Sequence, residues 1–306
     1  MPVMRSLSGF LATFLLSIVP FATQAQDQAC HSTVVGHLDI LPIASRIFNN
    51  SRNLRVWLPP GYESASNARK RYPVLYLLDG QNVFDACTAY NHEEMRADET
   101  LTELIATGKI EPLIVVAVDN GSGKSDNGEQ RGREYLPYPD PMNPSVKDVA
   151  GNDFPRFMET EVMPPVSAKY RVLSGPEHSA IGGASYGAVA ALYALIRRPD
   201  LFDSGIIESP SIQAGNGQML RDTISLVIGP TRIAIGAGTA EGFPTASEDA
   251  AYVRMVSTLA GNLRTEAFSR TEVQLTIREG AKHSNRYFGE RFAAALMFLF
   301  PSQTAP

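Results

Sequence analysis

The chain predicts an α/β fold, a mostly parallel central sheet with helices on both faces. Two observations carry this. Short, continuous apolar runs recur along the 306 residues, as strands buried on both faces require, and segments of helical periodicity separate them. One run, 179–182, enters Gly183-Ala184-Ser185-Tyr186-Gly187 and leaves at once into an alanine-rich helical pattern. That is a strand, a tight turn and a helix in succession. Hydrophobic residues make up 44% of the chain, enough for one large core or two modest ones.

From the N-terminus, Arg5 precedes an apolar stretch over 7–21, and Ala22-Thr23-Gln24-Ala25 offers small residues for cleavage. This reads as a secretory signal peptide over 1–25, cleaved near Ala25, because the stretch is short for a membrane span and a polar segment follows. The mature chain, 26–306, is then a single domain outside the cytoplasm, periplasmic or secreted. A retained N-terminal anchor is the alternative. Lipid modification of Cys30 is disfavoured by the polar Asp27-Gln28-Ala29 before it. After signal removal no stable membrane span is expected.

Strands over 43–48 and 54–58 suggest an opening hairpin around Asn49-Asn50-Ser51. Runs over 74–78 and 113–118 are apolar at nearly every position. Strands over 179–182, 204–207, 232–235 and 273–278 follow. Helical patterns cover 93–107, 151–163, 186–197, 247–262 and 285–300. Residues 120–148 interrupt this rhythm with Gly, Ser, Asp and Pro. So long a loop in a compact domain is usually functional or disordered, and its place after a strand end sets it over a ligand site.

A net charge of −5 with no basic block disfavours a nucleic-acid partner. Cys30 and Cys87 are the only cysteines. In an exported protein one disulfide is expected, with two free thiols as the alternative.

The Gly-x-Ser-x-Gly turn forces its serine into a strained backbone conformation and holds the hydroxyl at a helix N-terminus. Ser185 is therefore a candidate nucleophile; a purely structural glycine-rich turn is the competing reading. A serine hydroxyl needs a base. His283 follows the last strand and precedes the last helix, level with Ser185 and in the chain order this chemistry favours. His178 sits at the wrong end of its strand, His31 and His37 lie near the mature terminus, and His92 is a loop histidine that could face the site. Glu241 is the first carboxylate after strand 232–235 and the candidate acid; Glu248, Asp249 or a Ser–His dyad without an acid compete with it. The oxyanion donors expected are the amides of Tyr186 and Gln81, the latter in the Asp79-Gly80-Gln81-Asn82 turn, where Asp79 is read as structural.

Taken together, Val56-Trp57-Leu58-Pro59-Pro60-Gly61-Tyr62, residues 72–81, Arg133-Glu134-Tyr135-Leu136-Pro137, residues 181–187, Arg198-Pro199-Asp200-Leu201-Phe202 and the His283 segment resemble the putative-esterase family of α/β hydrolases. That family includes esterase D, feruloyl and acetyl-xylan esterases, enterochelin-type siderophore esterases and mycolyl-transferases. The resemblance implies the α/β-hydrolase fold, and catalytic roles for Ser185 and His283 with Gln81 and Tyr186 as oxyanion donors. The Leu77-Leu78-Asp79-Gly80-Gln81 and Arg133-Glu134-Tyr135-Leu136-Pro137 segments look closest to the siderophore-esterase branch. Arg131 and Arg133 could contact an anionic or catechol substrate; a structural role anchoring the long loop competes for Arg133 and Glu134. The expected partner is a small-molecule or carbohydrate ester, with no cofactor and no metal. Acyl transfer to a sugar or lipid alcohol is the second enzymatic reading, and a non-catalytic binding module the third.

Overall fold

In the computed structural model the described residues are 30–122, 128–224, 229–264 and 271–302. The expected signal peptide and its cleavage site lie outside them. Ser32–Pro306 forms one unit, and the N-terminal unit, Met1–His31, is described only at Cys30 and His31. Neither cysteine is free; Cys30 and Cys87 are both disulfide-bonded.

Eight strands form the sheet: β1 (His37–Ser45), β2 (Asn50–Leu58), β3 (Val74–Leu78), β4 (Ile114–Val118), β5 (Ser179–Ala184), β6 (Ser204–Glu208), β7 (Arg232–Gly238) and β8 (Glu272–Arg278). Their order is β1-β2-β4-β3-β5-β6-β7-β8. β1 pairs antiparallel with β2, and β2 with β4; every other pair is parallel. The helices are α1 (Ala97–Ala106), α2 (Glu129–Tyr135), α3 (Phe154–Phe157), α4 (Met163–Lys169), α5 (Tyr186–Arg197), α6 (Ala214–Ile224), α7 (Ala246–Leu263) and α8 (Asn285–Leu299). No helix of the described residues is long and apolar enough to cross a membrane.

The period-2 geometry of the central strands explains why they are apolar throughout. Tyr76 and Leu78 of β3, with Val116 and Val118 of β4, pack in one cluster with Phe154, Phe157, Val189, Leu192 and Val256. Leu75 and Leu77, with Val115 and Ala117, pack in the opposite cluster with Leu101 and Leu104 of α1 and Phe292 and Leu296 of α8. The sole tryptophan, Trp57, is fully buried on that second side and donates its indole N–H to the carbonyl of Val35 at 2.9 Å. The segment before β1 is tied down by carboxylates. Ser32 and Thr33 donate to Asp85, the Thr33 hydroxyl to Glu94 at 2.7 Å, and the Val35 amide to buried Asp98 at 2.5 Å.

Three departures from the sequence pattern have local reasons. β1 begins at His37 rather than 43, running through Pro42; Pro is tolerated because β1 is an edge strand, bonded on one side only. The helix expected from 93 begins at Ala97, since Asn91, His92 and Arg96 sit in the left-handed region. α2 and α6 lie in stretches without clean periodicity. α2 follows Gly128 (φ 81°) inside the long loop, and α6 opens with left-handed Gly215, Asn216 and Gly217.

Candidate active site

Because β3 to β8 run parallel, the turns that follow them lie along one edge of the sheet. β5 passes straight into α5 through Ser185, whose φ of 59° and ψ of −124° no regular structure uses. Such a conformation costs about 1–3 kcal/mol in a non-glycine residue and must be held by its surroundings. The Ser185 amide is anchored to the carbonyl of Glu208 at the end of β6, at 3.0 Å. A Cβ on Gly183 would stand 2.7 Å from the backbone of Gly187, so the turn closes only with glycine there. Gly187 has a different reason: its Cβ would meet Asp79 Oδ2 at 2.9 Å. The Ser185 hydroxyl lies 3.3 Å from that of Ser211, in the turn after β6.

His283 and Glu241 come from the turns after β8 and β7. His283 Nδ1 is 2.6 Å from Glu241 Oε2. The other carboxylate oxygen, Oε1, accepts from the Ser209 hydroxyl at 2.7 Å and the Gly238 amide at 2.5 Å. Burial alone would raise the Glu241 carboxyl; the hydrogen bonds from His283, Ser209 and Gly238 outweigh it and hold the group below its ordinary range. An ionised carboxylate only accepts, so Nδ1 carries the proton and Nε2 offers its lone pair. The ring of Phe288 meets the imidazole edge-on, with centroids 5.2 Å apart. Glu248 and Asp249 serve the helix instead. Glu248 and Thr245 cap α7 reciprocally, and Asp249 accepts from the Phe243 amide at 3.4 Å.

Asp79 follows β3 in a left-handed conformation (φ 60°) and opens a short turn over Gly80–Asn82. Gln81 N–H and Tyr186 N–H each stand in the first turn of a helix, where no intrahelical acceptor exists. The Tyr186 side chain turns away, donating its hydroxyl to Asp140 at 2.7 Å. Asp79 is structural in the way expected. It accepts both Nε and Nη2 of Arg131 at 2.7 Å, and Asn120 Nδ2 at 2.7 Å.

A cleft of about 1070 Å³ opens over these turns; Ser185, His283, Gln81, Arg131, Tyr90 and Phe288 are among its walls. Arg131 therefore does face the cleft, but two of its three nitrogens are committed to Asp79. Arg133 and His92 are not brought into it. Arg133 lies on α2 and its carbonyl binds the Ala150 amide at 2.7 Å; His92 is exposed, with Nδ1 3.1 Å from the carbonyl of Ala86. His37 and His178 pair with Asp39 and Glu177 elsewhere. Among the described residues no group of three or more His, Cys, Asp or Glu could hold a metal ion. Sequence reasoning missed Asn120, Ser209 and Ser211. Their one sequence signal is position, just past the carboxyl ends of β4 and β6.

Residues 45–299 match the family model described as "Putative esterase". The uncharacterized protein YbbA of Bacillus subtilis is 22% identical over 253 residues, 82% of this chain and 93% of that one. The siderophore triacetylfusarinine C esterase of Aspergillus fumigatus is 30% identical over 161 residues, 52% of this chain and 51% of that protein. Among solved structures, the siderophore hydrolase EstA of Aspergillus nidulans superposes with a TM-score of 0.68 at 23% identity, covering 86% of this chain and 94% of that one.

Proposed function

We propose, from the premise that this chain belongs to the putative-esterase family of α/β hydrolases and is a carboxylic ester hydrolase, that it is an exported serine esterase working through an acyl-enzyme. The observation that carries the reading is the 2.6 Å bond that His283 Nδ1 donates to Glu241, with His283 in a cleft shared with Ser185 on its strained turn. In the proposed reaction His283 Nε2 takes the Ser185 hydroxyl proton as Oγ bonds to the ester carbonyl carbon. The Gln81 and Tyr186 amides hold the resulting oxyanion. As the carbonyl reforms, the C–O bond to the alcohol breaks, and that oxygen takes the proton back from His283. Water then adds in the same manner, its proton passing through His283 to Ser185 Oγ as the acid leaves. Glu241 keeps the imidazole in the productive tautomer and stabilises the imidazolium.

The substrate class proposed is a siderophore-type or related small-molecule or carbohydrate ester. Its support is the likeness of the Leu77-Leu78-Asp79-Gly80-Gln81 segment to the siderophore-esterase branch, together with the relative named for triacetylfusarinine C. The proposed location is outside the cytoplasm, with residues 26–306 as the mature enzyme. A hydrolysis screen of the purified mature protein tests the reading. It covers aryl acetates and butyrates, feruloyl sugars, acetylated xylan and a catecholate trilactone, each with wild type and Ser185→Ala. Hydrolysis that survives in Ser185→Ala refutes the nucleophile. Turnover of the sugar esters with none of the trilactone refutes the siderophore assignment.

A further inference from the structure

Behind Glu241, on the side away from His283, lies a buried polar chain that the proposed reaction does not use. Arg291 of α8, Glu208 at the end of β6, and Ser209 are each no more than 4% exposed. Arg291 Nε donates to Glu208 Oε2 at 2.8 Å, and its Nη2 donates to the Ser209 hydroxyl oxygen at 3.2 Å. Ser209 in turn donates to Glu241 Oε1 at 2.7 Å. Ser209 reaches that point from the left-handed region (φ 39°), a conformation unusual for serine, with its amide fixed on the carbonyl of Gly236 at 2.8 Å.

The chemistry of these groups gives the chain one direction. Guanidinium nitrogens only donate, so Ser209 Oγ accepts from Arg291 and its single proton is left for Glu241. Glu241, ionised, only accepts. It therefore receives donors on Oε1 from Ser209 and Gly238, and on Oε2 from His283. Glu208 balances the Arg291 charge, which would otherwise stand uncompensated in the interior. Taking the esterase site above as its basis, we infer that Arg291, acting through Ser209, is a positioning residue that fixes the orientation of the Glu241 carboxylate toward His283. The Arg291 bond occupies the Ser209 oxygen and so directs the hydroxyl proton at Glu241.

Ser209→Ala removes the link while leaving the Arg291–Glu208 pair in place. The expected result is a fall in kcat of about tenfold with KM nearly constant, as for loss of one hydrogen bond to a charged group. The acid limb of kcat/KM moves to higher pH, because Glu241 loses a donor that favours its ionised form. The charged or titratable groups around Glu241 are His283 after β8, Glu208 on β6, Arg291 on α8 and Tyr252 on α7. None of these is changed by Ser209→Ala. The second arm replaces the pair together, Arg291→Met with Glu208→Gln, to avoid a lone buried charge. In the Ser209→Ala background this double replacement lowers kcat no further, since its effect passes through Ser209. The assay is p-nitrophenyl butyrate hydrolysis, with fluorophosphonate labelling of Ser185 run in parallel. Ser209→Ala within twofold of wild type and an unmoved pH profile, or losses that multiply, overturn the positioning role while the esterase site stands. A wild-type protein that neither labels nor hydrolyses overturns both.

Discussion

Glu241→Gln is the most searching substitution, because the structure dictates which way the new amide must face. The position of Oε1 receives two donors, the Ser209 hydroxyl and the Gly238 amide. Placing the side-chain NH₂ there sets donor against donor and strands a buried backbone N–H, at about 1–3 kcal/mol. The Ser209 proton is turned to that position by the Arg291 bond to its oxygen, and the backbone N–H of Gly238 is fixed. The amide oxygen therefore takes the Oε1 position and the NH₂ faces His283 Nδ1. That nitrogen must now accept, so the ring proton moves to Nε2 and the lone pair that would deprotonate Ser185 is lost. A wrong-tautomer histidine costs on the order of 10⁴-fold in kcat, about 5.5 kcal/mol of barrier. The assay is steady-state hydrolysis of p-nitrophenyl butyrate between pH 6 and 9, with near-UV circular dichroism to confirm packing. Glu248→Gln is the control. It touches only the α7 cap, so it should cost about 1 kcal/mol of stability or less and leave kcat unchanged. Retention of a tenth of wild-type kcat by Glu241→Gln, or a larger loss from Glu248→Gln, would refute the assignment.

Four further outcomes follow. Ser185→Ala should lower kcat on the order of 10³-fold or more without unfolding the protein, since a small hydroxyl is removed from a turn; circular dichroism and turnover check both halves. Gly187→Ala should destabilise by about 1–3 kcal/mol, because its Cβ would press on the Asp79 carboxylate that holds Arg131, and a thermal melt reads it. Asp98 is pushed up to about 7 by burial, against the lowering bond from Val35, so the native state keeps a proton that the unfolded chain releases near 3.8. Stability contributed by that proton is lost as pH rises through that window, so the wild-type Tm should fall relative to that of Asp98→Asn between about pH 4 and 7, and parallel curves would refute it. Mass spectrometry of the exported protein should show a terminus near Gln26 and no alkylatable thiol before reduction; an intact Met1 would refute the signal peptide.

The sequence made local structure visible wherever one residue run decides it. β3 over Val74–Leu78 and α5 over Tyr186–Arg197 start and stop where their patterns do, because an all-apolar strand and an alanine-rich helix need no distant partner to be recognised. The places of the candidate site residues in the fold were legible for the same reason: Ser185 directly follows β5, and Glu241 and His283 lie in the turns after β7 and β8. Residues whose position is set across the fold were not. Arg291 has the sequence context of an ordinary surface charge on α8, and only Glu208, 83 positions earlier, makes it a buried one. Arg131 looked like a free cation for substrate until Asp79, 52 positions away, engaged it. The short helix carrying Arg133 gave no periodic signal, so the direction of that side chain was not readable from the pattern.

The order in which the site's parts occur along the chain has a consequence for its biogenesis. In the proposed mechanism the nucleophile, Ser185, directly follows the central strand β5, whereas the base, His283, comes after β8, an edge strand bonded on one side only. A growing chain thus displays Ser185 long before His283 has been synthesised, and the last strand and α8 must dock before the two can meet. On the proposed mechanism ester cleavage is the final property the molecule acquires, and a chain stalled or clipped before its last strand should be chemically silent. On that mechanism, recovery of activity on refolding is a readout of the docking of the last strand and of α8, whose Phe292 and Leu296 join the core cluster that holds Trp57.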